Sequence, residues 1–114
     1  MGVPDEARTN VAELIGAGTG GNRYDAVGIG SDATAFADSD TSLGTTVDTA
    51  TGLTASVVDN TLTLVGTFTG NSATIREATA FESSQGDLLA RQVISTVNVE
   101  SSDTLEITWD VEVT

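Results

Sequence analysis

The sequence predicts an all-β fold, namely an antiparallel β-sandwich of jelly-roll-like type preceded by a short N-terminal helix. The first observation is that, within the stretch 103–114, residues 104–114 alternate strictly between polar and apolar side chains, which is the period of a strand with one dry face. The second is that several shorter stretches alternate in the same way, with turn residues between them every ten or so positions. The third is that Thr, which favours half-exposed strands, is the commonest residue.

The last strand has one apolar and one acidic face. A helix over the same residues would spread the carboxylates around its axis and bury several of them. The apolar face holds Leu105, Ile107, Trp109, Val111 and Val113, whereas the other holds threonines with Glu106, Asp110 and Glu112.

The N-terminal part is predicted to be a helix over residues 5–15, because Val11, Leu14 and Ile15 recur at helical spacing. Residues 16–22 form a glycine-rich link. Because these glycines follow a helix and do not lie between a strand and a helix, they do not predict a phosphate-binding loop. The predicted organisation is therefore helix and link in residues 1–22 and a β-sandwich domain in residues 23–114.

The sandwich domain is predicted to begin with a strand and a long acidic loop over residues 31–44, which Phe36 or Leu43 anchors. Asp59 and Asn60 predict a hairpin turn, because both tolerate a left-handed backbone. The further strands are predicted in residues 23–30, 45–59 (one or two strands), 61–70, 73–81 and 88–100.

The charge balance is strongly acidic: seventeen Asp and Glu face four Arg, with no Lys or His, for a net charge of -13. Such a chain repels nucleic acid and anionic membrane surfaces. The repulsion among its own charges is screened in molar salt, where the Debye length falls to about 3 Å, so the composition predicts a protein adapted to brine.

The absence of Cys excludes disulfides and thiolate chemistry, and no stretch approaches the about 18 apolar residues of a membrane span. The N-terminus lacks the pattern of a signal peptide.

The acidic loop contains the candidate metal ligands Asp32, Asp38 and Asp40, since Ca²⁺ takes carboxylate oxygens. The EF-hand register fails, because Thr49 stands eleven residues after Asp38 where a bidentate Glu is needed. Solvated acids fit the pattern better, so the sequence predicts no metal and no other cofactor.

Catalysis is not predicted either. Glu106, Asp110 and Glu112 share one strand face and could resemble a glycosidase carboxylate pair, but a solvated strand face has the same pattern. Without His, Cys or Lys the chain has no ordinary base to activate a nucleophile. We therefore expect a protein that is not an enzyme.

Arg76 and Arg91 are the candidate interface residues, because each lies within a predicted strand of a chain that has few cations. One alternative is pairing on an exposed face with nearby acids, such as Glu77 and Glu82, or with acids opposite, which stabilises little. The other is a contact between subunits, where Arg is favoured.

Several stretches together resemble a family of small structural proteins of tailed viruses and proviruses, especially those of haloarchaea, which include tail-fibre-like proteins. The most specific are I-R-E-A with a following Phe, L-L-A-R, and D-T-L-E-I-T-W; Y-D-A-V-G-I-G-S-D-A-T and N-T-L-T-L-V-G-T-F precede them in matching order. The resemblance implies a virion role and no catalytic residues.

The leading hypothesis is therefore a non-enzymatic virion protein, a homo-oligomeric β-sandwich on the outer surface of head or tail, as capsid decoration, turret or tail-fibre component. Its expected partners are other copies, as a trimer or pentamer, other virion proteins and the host cell surface, with no nucleic acid and no membrane insertion. The alternative is a carbohydrate-binding module of a halophile, which would need an exposed aromatic side chain for stacking.

Overall fold

The computed structural model describes Pro4, Asp5, residues 24–84, Gly86 and residues 88–112. The predicted helix over residues 5–15, the glycine-rich link and the boundary at residue 22 lie outside the described residues, apart from Asp5. The described residues contain seven strands, in chain order β1 (Ala26–Gly30), β2 (Thr46–Ala50), β3 (Ser56–Val58), β4 (Thr61–Thr69), β5 (Ala73–Phe81), β6 (Leu88–Val99) and β7 (Thr104–Glu112).

The strands form two sheets in which all neighbours run antiparallel. Sheet A has the order β2-β1-β5-β6 and sheet B the order β3-β4-β7. The chain passes between the sheets three times, after β2, after β4 and after β6. The prediction of an all-β, sandwich-like fold is confirmed.

Strand β7 has the two faces that its sequence predicts. Trp109 is 6% exposed and lies opposite Leu64 of β4, which is fully buried. Its polar side chains are all exposed. Because β7 pairs with β4 over nine residues, the apolar seams of both strands line the inner face of sheet B.

The predicted hairpin is present between β3 and β4, where Val58 pairs with Thr61. Asp59 has a φ of 54°, in the left-handed region that Asp tolerates better than most residues. This turn sets the register of β3 and leaves it at the edge of sheet B.

The core lies between the two sheets and is thin. Val27 and Ile29 of β1 face Leu64 and Phe68 of β4 in one cluster of buried side chains. Much of the remaining sheet A contribution consists of alanines: Ala78, Ala80 and Ala90. Small side chains bury little apolar area each, so the fold requires stabilising contacts outside this core.

A third layer, formed by a loop, supplies such contacts. The connection between β1 and β2, residues 31–45 and here named the acidic loop, folds over the outer face of sheet A. Leu43 of this loop approaches Gly28 of β1, which confirms the prediction that Phe36 or Leu43 anchors the loop. Residue 25 belongs to no strand, so β1 begins later than the sequence predicted.

Candidate functional site

The carboxylate of Glu77 lies beneath the acidic loop and holds both of its ends. Glu77 belongs to β5 and is fully buried. It accepts the backbone N–H of Asp32 at 2.9 Å, of Gly44 at 2.8 Å and of Thr45 at 2.9 Å. One side chain thus closes the loop where it leaves β1 and where it enters β2.

Arg91 of β6 completes this arrangement, which we name the clasp (Glu77 and Arg91). Its Nε donates to Oε1 of Glu77 at 2.8 Å, and the residue is 2% exposed. Its Nη1 lies 3.4 Å from Asp40, and its Nη2 lies 3.8 Å from Asp32. The guanidinium therefore meets one carboxylate from the sheet and two from the acidic loop, so it neutralises part of the charge that the loop brings to the sheet.

The register of sheet A explains why these two side chains meet. Gly30 pairs with Glu77, and Thr79 pairs with Arg91. Glu77 and Thr79 are two positions apart in β5 and share a face. Glu77 and Arg91 are therefore diagonal neighbours on the outer face of the sheet, within reach of long side chains.

Glycines in β1 make room for the acidic loop. A Cβ added at Gly30 would collide with the carboxylate of Glu77 and with the backbone carbonyl of Thr45. A Cβ at Gly28 would lie 2.9 Å from Leu43. The two alternate positions without side chains form the strip on which the loop rests.

The electrostatics of Glu77 follow from its contacts. Burial alone would raise the pKa of its carboxyl. The N–H donors of Thr45, Gly44, Arg91 and Asp32 outweigh burial and hold the pKa of Glu77 below its ordinary value. Glu77 is therefore an ionised carboxylate with its hydrogen-bonding capacity used by its neighbours.

Asp32 is fixed in a similar way. Its Oδ1 accepts the backbone N–H of Thr34 at 3.0 Å and the hydroxyl of Thr34 at 2.8 Å. These two hydrogen bonds lower the pKa of Asp32, with a smaller contribution from the charge of Arg91. Asp32 is an Asx-type turn residue that also faces the clasp.

The structure separates the three candidate metal ligands. Asp32 and Asp40 face Arg91, whereas the backbone carbonyl of Asp38 accepts the N–H of Asp5 at 3.1 Å. Within residues 24–84 and 88–112, with Pro4, Asp5 and Gly86, no three His, Cys, Asp or Glu side chains are grouped so as to hold a metal ion. The two aspartates that do meet share a guanidinium.

The two candidate interface arginines both contact the acidic loop of their own chain. Arg76 is half-buried, and its Nη1 donates to the carbonyl of Ser31 at 3.3 Å. Arg91 is buried in the clasp. A role of either in a contact between subunits stays a prediction, and Arg76 is the one with exposed surface.

The acidic face of β7 is a solvated strand face in contact with threonines of β4. Thr63 donates its hydroxyl to Asp110 at 2.7 Å, and Thr67 pairs with Glu106 across the strands. Trp109 points to the opposite, inner side. Its ring therefore offers no exposed face for a sugar to stack on.

From the sequence, Glu77 is predicted only as an acid close to the candidate arginines on an exposed face, and the burial of this residue is missed, although a signal is present. Glu77 is the acid within A-T-I-R-E-A-T-A-F, a stretch otherwise rich in Ala, Thr and apolar residues, and Arg91 is the base within L-L-A-R-Q-V. A charged residue in a run that is otherwise suited to burial indicates a buried ion pair when another run carries the opposite charge. Gly28 and Gly30, at alternate positions of a strand, indicate that backbone approaches there.

Comparison with protein-family models, curated proteins and solved structures finds no match for this chain. In the described part of the chain, no helix is long and apolar enough to cross a membrane. The features that bear on function are therefore the geometry of the clasp, the charge of the exterior and the resemblance in sequence.

Proposed function

We propose that this chain is a non-enzymatic structural protein on the outer surface of a virion, that of a tailed virus of halophilic archaea. Homo-oligomers of the sandwich serve there as capsid decoration, turret or tail-fibre component. They contact other virion proteins and the host cell surface. In this proposal the sandwich is jelly-roll-like and a short helix precedes it.

The observation that carries the proposal is that buried charged side chains hold loops in place through hydrogen bonds and ion pairs. Glu77 and Arg91 hold the acidic loop on sheet A. Glu82, also buried, accepts the N–H and hydroxyl of Ser84 in the connection after β5. Ionisable groups that serve catalysis usually line an accessible cleft, whereas Glu77 and Arg91 are buried against the acidic loop. These hydrogen bonds and ion pairs hold the loops of a sandwich with a thin core in place, as a protein exposed on the surface of a particle requires.

The charge of the exterior supports the halophilic part. The net charge of -13 belongs to a chain whose exposed strand faces carry Glu106, Asp110 and Glu112. In dilute salt these charges repel one another, but in brine they are screened and remain well hydrated. The resemblance to structural proteins of haloarchaeal tailed viruses supports the virion part.

The proposal is tested on purified particles. An antibody raised against the purified protein should label intact virions in electron micrographs, and mass spectrometry should find the chain in multiple copies per particle. An abundant cytoplasmic host protein, followed through the same gradient, controls for contamination. Particles that lack the chain, or that carry it only at the level of the host protein, would overturn the virion role.

A further inference from the structure

We propose that the β3 edge of sheet B is a self-association surface, on which β3 of a second copy pairs antiparallel about a two-fold axis. The inference deepens the proposed function and depends on its homo-oligomeric part. It rests on exposure, on the distribution of charge and on a groove beside β3.

Strand β3 is an edge strand with apolar side chains exposed on both faces. Val57 is 65% exposed and Val58 is 67% exposed. Successive residues of a strand point to opposite faces, and Val57 lies on the inner face because it pairs with Leu62. A cap over one face would cover one valine only. A strand added along the edge covers both and pairs the backbone groups of β3 that face away from β4 and bond to no other strand in the described part of the chain.

The charge distribution identifies a second copy as the occupant. Residues 49–58 and 60–75 contain no charged residue, so Asp59 is the single charge of the β3–β4 hairpin. Two chains of net charge -13 repel each other at most orientations, but they can meet here without opposing carboxylates. A basic partner would find few acids here, namely Asp59 in the turn and Asp25 in the neighbouring groove, whose carboxylate already accepts hydrogen bonds from Ser83.

The other edge strands are protected in ways that β3 is not. The β7 edge carries Glu106, Asp110 and Glu112, and charged side chains discourage edge pairing. At the β6 edge the pairing with β5 shifts register between Ile75 and Glu77, and such irregularities interrupt a pairing edge. Strand β2 carries Asp48. The short β3 has neither a charge nor a bulge of its own.

A groove beside β3 gives the added strand a place for its side chains. It measures 290 Å³ and is lined by Leu53, Ala55, Val57 and Leu62, and also by Asp25, whose carboxylate accepts the N–H and the hydroxyl of Ser83. With the two-fold axis at Val57, Val57 of each copy lies beside its counterpart over this groove, and Ser56 lies opposite Val58 of the second copy. β-Branched side chains pack well against their neighbours on a pleated sheet. The two three-stranded sheets then join into one sheet of six strands.

A contact of this kind closes at two copies. The assembly on the particle would therefore be built from dimers, and a ring of three or five copies would need a further contact. The expected mass in molar salt is twice the 11.6 kDa of one chain.

The first experiment compares Ser56→Asp with Ser95→Asp by light scattering after size exclusion in molar KCl. Both serines are exposed and lie in edge strands, β3 and β6. We expect Ser56→Asp to abolish the dimer and Ser95→Asp to leave it intact, with circular dichroism showing that both variants are folded. Loss of the dimer with Ser95→Asp alone would overturn the assignment of the contact to β3. A dimer that persists in Ser56→Asp would overturn it as well. In both cases the homo-oligomeric part of the proposed function would stand. A wild-type chain that stays monomeric at all concentrations would overturn both the β3 pairing and homo-oligomerisation.

The second experiment uses the absence of Cys from the chain. Directly paired residues on antiparallel strands have Cβ atoms about 4.5–5.5 Å apart, close enough for a disulfide after a small adjustment. Val57→Cys should therefore form a disulfide-linked dimer on mild oxidation, whereas Ser95→Cys should not. Equal cross-linking of both variants, or none with Val57→Cys, would contradict a two-fold axis at this residue.

Discussion

The Nε of Arg91 donates to Oε1 of Glu77 at 2.8 Å, and neither side chain is accessible to solvent beyond a few per cent. This pair lies between a β-sheet and a loop. It joins two strands of sheet A to each other and to the segment that covers them. The stability of the acidic loop therefore depends on two residues outside it.

Removing the guanidinium of Arg91 should destabilise the fold strongly. Arg91→Met keeps an unbranched side chain but leaves the buried Glu77 carboxylate without its cation, which costs about 3–5 kcal/mol in comparable cases. Arg76→Met is the matched control, because Arg76 is half-buried and makes a single hydrogen bond to the same loop; we expect about 1 kcal/mol. Denaturant unfolding in molar KCl measures both. An equal loss of unfolding free energy in the two variants would show that Arg91 in the clasp stabilises the fold no more than Arg76 does.

Acid should weaken the fold through Glu77 and Asp32. Both have a folded-state pKa below their ordinary values of 4.5 and 3.8. The unfolded chain therefore takes up protons first as the pH falls, and the stabilisation by these groups is complete above about pH 4.5 and lost as the pH falls through the folded-state pKa values.

The free energy of unfolding, followed from pH 7 to pH 3 in molar KCl, should decline below about pH 4.5. Molar salt is needed because it screens the overall repulsion, whose relief by acid acts in the opposite direction. Glu77→Gln should be less stable at pH 7 and should lose part of the decline. A stability that is flat or rises down to pH 3 would exclude the clasp as the acid-sensitive element.

The two glycines of β1 should differ in how well they tolerate a methyl group. In Gly30→Ala the new Cβ meets the backbone carbonyl of Thr45, which cannot move without lifting the loop. In Gly28→Ala it meets the ends of the Leu43 and Thr79 side chains, at 2.9 and 2.7 Å, and these can rotate. Overpacking costs about 1–3 kcal/mol, and Gly30→Ala should lie at the upper end.

Hydrogen exchange gives the local measure of this difference. The N–H groups of Gly44 and Thr45, which Glu77 accepts, should lose protection in Gly30→Ala and keep most of it in Gly28→Ala. Protection that is unchanged in Gly30→Ala would mean that the loop is not seated on this strip.

The strands could be predicted from the sequence and the clasp could not, and the difference has a physical cause. Alternation is a local property, so the bounds of β5 at Ala73 and Phe81 were predicted correctly. The contact between Glu77 and Arg91 depends on which strands become neighbours and in which register. Periodicity tells which residues share a face of one strand and nothing about what covers that face. The sequence therefore predicts Arg91 on an exposed face or at an interface, and it predicts solvated acids in the acidic loop.

Trp109 should contribute through its volume and not through a hydrogen bond. Its indole N–H is buried and has no hydrogen-bond partner in the described part of the chain. Trp109→Phe loses no hydrogen bond and should cost about 1 kcal/mol, whereas Trp109→Ala leaves a cavity and should cost about 3–5 kcal/mol. Val65→Ala, at a residue 41% exposed on the outer face of β4, is the control and should cost less than about 1 kcal/mol. Unfolding followed by circular dichroism distinguishes these values, and a cost for Trp109→Phe near that of Trp109→Ala would indicate a hydrogen bond after all.

Lowering the salt concentration should lower the melting temperature. The Debye length grows from about 3 Å at 1 M to about 10 Å at 0.1 M, so the acidic side chains of a chain with net charge -13 repel one another with less screening. Neutralising two exposed acids of β7, with Glu106→Gln and Glu112→Gln together, should reduce this salt dependence and leave the melting temperature in molar salt unchanged. Thr104→Gln with Thr108→Gln is the matched control, since it adds two amides to the same exposed face without removing a charge. A melting temperature that does not depend on salt would contradict a protein adapted to brine. An equal reduction by the control pair would show that side-chain size, and not charge, governs the response.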